Sequence, residues 1–174
     1  MIFKRIVAYL IDCVIIFFYA ASLFAVNYLT HQLLDKPFEA HEPIKGHIIS
    51  FFTMTLPVFL YFFLFEIDGK KRGTLGKRLM KLEVVNNSTK NVFIRVLLKL
   101  LPWEIAHFGM HWSTHYYSQG IEAPNWVWLI NILPQILVLI YLISLIYAKG
   151  TKTIYDRFAK TEVRRINGKR DVLN

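Results

Sequence analysis

The sequence predicts an all-α fold: an integral membrane helical bundle of about four transmembrane helices plus a short cytoplasmic amphipathic helix. Three observations carry this expectation. Of the 174 residues, 55% are apolar and the mean hydropathy is +0.37, a composition that water-soluble domains rarely show. Apolar runs recur at close to the roughly 20 residues that cross hydrocarbon. The 21 Lys and Arg residues fall in blocks between those runs. The whole chain, 1–174, reads as one membrane domain with spans near 6–28, 48–66, 92–112 and 126–147.

The first run begins just after Lys4 and Arg5 and carries Asp12 about two turns in. A charged side chain at the centre of a spanning helix costs roughly 2.5 to 3.5 kcal/mol on insertion scales, so Asp12 is expected to face protein and not lipid. A cleaved signal peptide is the competing reading, with Ala20-Ala21-Ser22 as a weak cleavage site. Asp12 argues against it, because it splits the run, and the run continues through Leu23, Phe24 and Val26. Cys13 is the single cysteine, which excludes an intrachain disulfide and a cysteine-based zinc site and leaves a small apolar residue in a helix.

The second and fourth runs, 48–66 and 126–147, are the clearest. The third, 92–112, carries Arg95, Lys99, Pro102, Glu104 and His107, so it reads either as a kinked span or as an interfacial helix. Charge placement decides between these. Two basic residues precede the first run, nine lie between Lys70 and Lys99, eight lie between Lys149 and Arg170, and only Lys36 and Lys45 fall elsewhere. Basic loops stay cytoplasmic. The loop 67–91 and the tail 148–174 are therefore expected inside with both termini, and the third run must cross so that the fourth can return. Pro57, Pro102 and Pro134 are expected to kink their helices. Asn131 and Gln135 put hydrogen-bonding groups mid-helix, to hold a neighbouring helix or to line a path. Trp112, Tyr116, Tyr117, Trp126 and Trp128 crowd the outer boundary, and Tyr141 and Tyr147 approach the inner one, as aromatic belts do.

The central basic loop resembles a phosphate loop only superficially. Walker spacing requires a glycine five residues before the Gly-Lys pair and Ser or Thr after it; Lys71 and Arg78 stand there instead, which excludes that mode of nucleotide binding. Helical spacing puts Leu75, Leu79 and Leu82 on one face, with Lys77, Arg78 and Lys81 turned elsewhere toward lipid headgroups; a solvated linker is the plain alternative.

Three separated motifs then align with a known family. R-x-x-A-Y-L-I-D from Arg5 to Asp12, G-T-L-G-K-R-L-M-K-L-E-V-V from Gly73 to Val85, and Y-D-R-F-A-K-T-E-V from Tyr155 to Val163 resemble the RDD family of membrane proteins. The resemblance runs over nearly the whole chain in the right order. It implies that Arg5, Asp12 and Asp156 are the arginine and two aspartates of the family name, that Arg95 is a further family arginine, and that the chain sits in a bacterial inner membrane. Ion transport, including sodium/proton antiport, is implied for only some members. Tyr155 stands where many members carry histidine, and Lys160 where many carry glycine.

Arg5 and Asp12 share a helix face but lie roughly 10.5 Å apart along the axis, too far to pair. Asp12 is expected to pair with Arg95, with Lys99 and Arg157 behind it, and Arg5 with Asp156. Such an ionic network either clamps helices or places Asp12 on an ion path. On the outer side, Glu104, His107, His111 and His115 fall within about 80° of one helix face. That spacing suits a divalent metal, a proton relay or interfacial packing; no other cofactor is expected. His31, His41 and His47 are expected near the same side. No catalytic set is recognisable, so an enzyme is not expected. The expected partners are the bilayer and either further copies of the chain or another membrane protein, not nucleic acid. Ion or small-solute transport is the first functional expectation, and a non-catalytic scaffold or assembly partner the second.

Overall fold

The computed structural model describes residues 1–35, 42–67 and 73–166; Lys36, His41, Lys70, Lys71 and Arg170 of the sequence reading lie outside them. Helix α1 is Ile2–Leu33, α2 Pro43–Ser50, a π-helical turn follows at Phe51–Thr55, and α3 is Leu56–Ile67. After them come α4 (Leu75–Leu79), strand β1 (Leu82–Val85), α5 (Thr89–Ser118), α6 (Asn125–Tyr147), α7 (Ile154–Phe158) and β2 (Glu162–Arg165).

The protein is an all-α membrane-type structure. Among the described residues three helical segments are long and apolar enough to cross a membrane: Ile2–Leu33, Pro43–Ile67 and Asn125–Tyr147. Only 11%, 22% and 11% of their apolar windows are buried by protein, which leaves apolar faces larger than a water-soluble surface tolerates. Four such segments were expected. Helix α5 has the length, with 30 residues, but Lys90, Arg95, Lys99 and Glu104 keep it out of the apolar set.

The chain divides into two compact units. One comprises Met1–Cys13, Leu60–Lys99 and Ile140–Asn174. Its small core is Ala8, Leu82, Val84 and Val163, with Met1 and Met80 packed against it. Leu82 and Val84 alternate inward, as a strand dictates, and β1 pairs antiparallel with β2 in the register Val84↔Val163 and Leu82↔Arg165. An isolated pair of strands is marginal in water; packing on Ala8 supplies the missing apolar contact. Leu82 therefore does not continue the apolar face of a helix over 75–82. Helix α4 ends at Leu79, and Lys81 turns the chain into β1 at φ +55°.

The other unit comprises Val14–Phe59 and Leu100–Leu139. Gly109 lets α5 and α6 approach closely there: a Cβ at this position would come within 2.6 Å of Asn131 Oδ1. Asn131 Nδ2 donates to Ser113 Oγ at 2.8 Å and to Val127 O at 2.9 Å, so this amide holds two helices together. Gln135 is exposed.

The prolines leave the helices continuous, with α5 passing through Pro102 and α6 through Pro134. Proline deletes the hydrogen bond to the carbonyl four residues back. For Pro102 that carbonyl is Leu98 O, which accepts the Tyr141 hydroxyl at 2.7 Å. For Pro57 it is Thr53 O, which accepts the Tyr19 hydroxyl at 2.6 Å, and the π-helical turn directly precedes this proline. Tyr141 thus serves a backbone carbonyl.

Candidate functional site

Asp12 is buried, 1% exposed, and its partners are neutral donors. Thr74 Oγ1 donates to Oδ2 at 2.6 Å, the Tyr61 hydroxyl to Oδ1 at 2.8 Å, and the Gly76 backbone N–H to Oδ1 at 3.0 Å. Thr74 is the N-cap of α4, but its side chain makes no cap bond; it turns to Asp12 instead. The first N–H groups of a helix have no partner within the helix. Here Leu75 N–H goes to the Tyr61 hydroxyl at 3.3 Å and Gly76 N–H to Asp12, so a carboxylate from α1 caps α4 and offsets its positive end. Gly76 has to be glycine, because a Cβ there would collide with the Ala8 carbonyl. The expected pairing of Asp12 with Arg95 is therefore replaced by a socket built from the G-T-L-G motif.

Arg95 belongs to a different constellation. Its Nε lies 3.0 Å from Glu66 Oε2 and its guanidinium reaches Asp156 Oδ1 at 2.9 Å. Lys77 Nζ meets Glu66 Oε1 at 2.5 Å, and Arg5 meets Asp156 Oδ2 at 2.8 Å. The result is an alternating chain, Lys77–Glu66–Arg95–Asp156–Arg5, that draws one residue from each of α4, α3, α5, α7 and α1. All five are buried, Glu66 and Asp156 completely. Alternation is the only arrangement in which each interior member touches two opposite charges, and this offsets a desolvation penalty of several kcal/mol per ion.

Asp156 is also a local cap. It is the third residue of α7, and with Thr153 it forms a capping box: Thr153 N–H and Oγ1 both donate to Asp156 Oδ2 at 2.8 Å. Burial alone would raise its carboxyl pKa, but Arg95, Arg5 and the Thr153 N–H outweigh burial and hold it at about 2. The Arg5–Asp156 contact is the pair expected from the sequence. Glu66 and Lys77, two of the five members, were not expected in it.

Lys77 was expected at the lipid headgroups, yet it is 7% exposed and ion-paired. Arg78 Nε donates to Gly73 O at 2.8 Å, and its guanidinium lies 4.8 Å over the Phe65 ring. Leu75 and Leu79 are exposed at 40% and 66%, so α4 buries cations and shows leucines, the reverse of a solvated basic face. Lys81 is exposed, as is Arg157, which takes no part in the network.

Lys99, one turn beyond Arg95, has no carboxylate at ion-pair distance among the described residues. Its ammonium lies 3.2 Å from the centroid of the Phe62 ring and 5.9 Å from that of Tyr9. A cavity of about 30 Å³ lies among Arg5, Tyr9, Asp12, Lys77, Arg95 and Lys99.

In the other unit the expected histidine constellation is dispersed among neutral partners. Glu104 accepts the Thr55 hydroxyl at 2.6 Å and lies 3.3 Å from His47 Nε2. His107 lies 3.4 Å from the same hydroxyl, His111 is 3.0 Å from Ser50 Oγ, and His115 is 3.2 Å from Gln119 Nε2. Among the described residues no three His, Cys, Asp or Glu side chains converge as metal ligands. The metal reading of Glu104, His107, His111 and His115 therefore gives way to helix packing, because the carboxylate is turned to Thr55 and His47 and His115 to Gln119.

A family model described as the RDD family matches residues 1–160. The chain belongs to the RDD family. No curated protein and no solved structure matches it. The RDD motifs acquire physical roles in this structure. Arg5 and Asp156 are an end and an interior member of the buried ionic chain, Asp12 caps α4, and the G-T-L-G segment supplies both the socket and the close approach at Gly76. The two departures also become intelligible. Tyr155 lies with its ring 5.3 Å from the Arg95 guanidinium and 5.1 Å from Tyr141, so an aromatic face supports the arginine. Lys160 takes φ +54°, the left-handed region that glycine enters at least cost.

Proposed function

We propose that this RDD-family membrane protein is a non-catalytic scaffold whose buried ionic chain fixes the ends of its helices. The observation that carries this reading is the alternating Lys77–Glu66–Arg95–Asp156–Arg5 chain, in which every carboxylate is held by two cations. Asp12 likewise has its oxygens occupied by three donors. A cation carrier requires a carboxylate free to exchange its partner, whereas a clamp requires each carboxylate to be held by fixed cations. The basic residues of the first unit favour a cytoplasmic position for it, with both termini inside a bacterial inner membrane and α5 crossing to return the chain to α6. Its partner would be a second membrane protein or another copy of the chain.

Cation/proton exchange is the second reading, and the cavity beside Asp12 is the observation that favours it. Four cations on the cavity wall oppose it, since they repel sodium. The test is pH-gradient dissipation by sodium, potassium or lithium in proteoliposomes carrying folded, inserted wild type or Asp12→Asn. The scaffold reading predicts no cation-dependent proton flux from either. Flux from wild type that Asp12→Asn abolishes without unfolding would establish exchange in its place.

A further inference from the structure

We infer that the cavity among Arg5, Lys77, Arg95 and Lys99 is a binding site for one small monovalent inorganic anion of chloride size. Among the described residues this cluster, buried except for the half-buried Lys99, holds four cations, Arg5, Lys77, Arg95 and Lys99, against three carboxylates, Asp12, Glu66 and Asp156. Glu66 and Asp156 are spent on Lys77, Arg95 and Arg5, and the oxygens of Asp12 are taken by Tyr61, Thr74 and Gly76. Lys99 is left with the faces of Phe62 and Tyr9. An aromatic face attracts an ammonium but carries no net charge to neutralise it. Withdrawing an ammonium even partly from water without a counter-charge is costly.

Size and chemistry then select the ligand. The cavity measures about 30 Å³, whereas one water needs roughly 10 to 15 Å³ on the same scale. It has room for a single halide-sized ion. Its cationic wall rejects metal ions, and a surplus of one cation over the carboxylates is balanced by a monovalent anion. The inference goes beyond the clamp reading and does not rest on it, since either a scaffold or a transporter can hold such an ion.

The test is equilibrium binding of radiolabelled chloride to the purified full chain in micelles, with gluconate keeping ionic strength constant. Saturable binding of about one chloride per chain is expected, displaced by bromide and nitrate but not by sulfate or inorganic phosphate. Lys99→Gln should weaken it at least ten-fold and remove the rise in melting temperature that chloride gives wild type, while Lys99→Arg should retain both. Absence of saturable binding to folded wild type would overturn the proposal whatever the variants do. Equal binding by a folded Lys99→Gln would overturn the assignment to this cavity, and displacement by phosphate or by anionic lipid would overturn the halide-sized class.

Discussion

The two units solve the same problem, polar groups within an apolar protein, in opposite ways. In the unit containing the termini, full charges are buried and made to alternate, so that Glu66, Arg95 and Asp156 each touch two opposite charges. In the unit built from Val14–Phe59 and Leu100–Leu139 the polar contacts are mostly between neutral groups, such as Asn131 with Ser113 and His111 with Ser50. Its Glu104–His47 contact is about a quarter exposed on each side. The comparison teaches where stability is concentrated. A network of buried full charges fails severely when one member is lost, because the remaining partners stay buried, whereas a neutral hydrogen bond is worth about 1 kcal/mol.

The largest expected effects follow from position within the ionic chain. Arg95→Met or Asp156→Asn strands two neighbours and should lower the unfolding free energy in micelles by about 3 to 5 kcal/mol. Lys77→Met or Arg5→Met, at the ends, leaves its carboxylate with a second cation and should cost distinctly less. Equal losses at ends and interior would break the idea of an alternating chain. Gly76→Ala should rank close behind the interior members, since its methyl group meets the Ala8 carbonyl; normal stability of that variant would remove α4 from its seat on α1.

Acid sharpens the same contrast. Asp156 is held at about 2, below the ordinary value near 4, so its contribution is fully present above pH 4 and is lost as pH falls toward 2. That loss amounts to about 2 kcal/mol. The fall in stability across this window should be steeper for wild type than for Asp156→Asn. Smaller effects are expected where the units resemble each other. Tyr141→Phe and Tyr19→Phe each uncover the carbonyl freed by a proline, Leu98 O and Thr53 O, and should each cost about 1 kcal/mol in the same assay. A change of similar size has the opposite sign. Lys160→Gly should stabilise by about 1 kcal/mol because of its positive φ, and a loss would show that the Lys160 side chain has work of its own.

The membrane character, the long helices and the Arg5–Asp156 pair were legible because each leaves a local or additive trace: apolar runs, blocks of basic residues and recurring motifs. Asp12 was legible as buried but not as to its partner. Matching charge to charge pointed to Arg95, whereas the actual donors, Thr74, Tyr61 and a backbone N–H, carry no charge for such a search to find. Glu66 was passed over because it ends an apolar run, where a carboxylate normally reaches water, and Lys77 because it stands in a basic cluster that reads as solvated. The two strands are four residues each and pair across more than seventy residues of sequence, a contact that no local pattern reveals; Leu82 fell instead into the helical spacing of Leu75 and Leu79. The Thr153–Asp156 capping box, by contrast, is written plainly as T-x-x-D and supplies a signal for α7.

Arg95 and Lys99 offer the most direct test, being two cations one turn apart on the same helix, one bound to two carboxylates and the other to none. The measurement is the reversible unfolding free energy of Arg95→Gln and Lys99→Gln in micelles with gluconate as the anion. The account predicts a loss of about 3 to 5 kcal/mol for Arg95→Gln and little or no loss for Lys99→Gln. Equal losses would contradict it, since the stability would then depend on positive charge in α5 in general and not on the alternating chain that Arg95 joins.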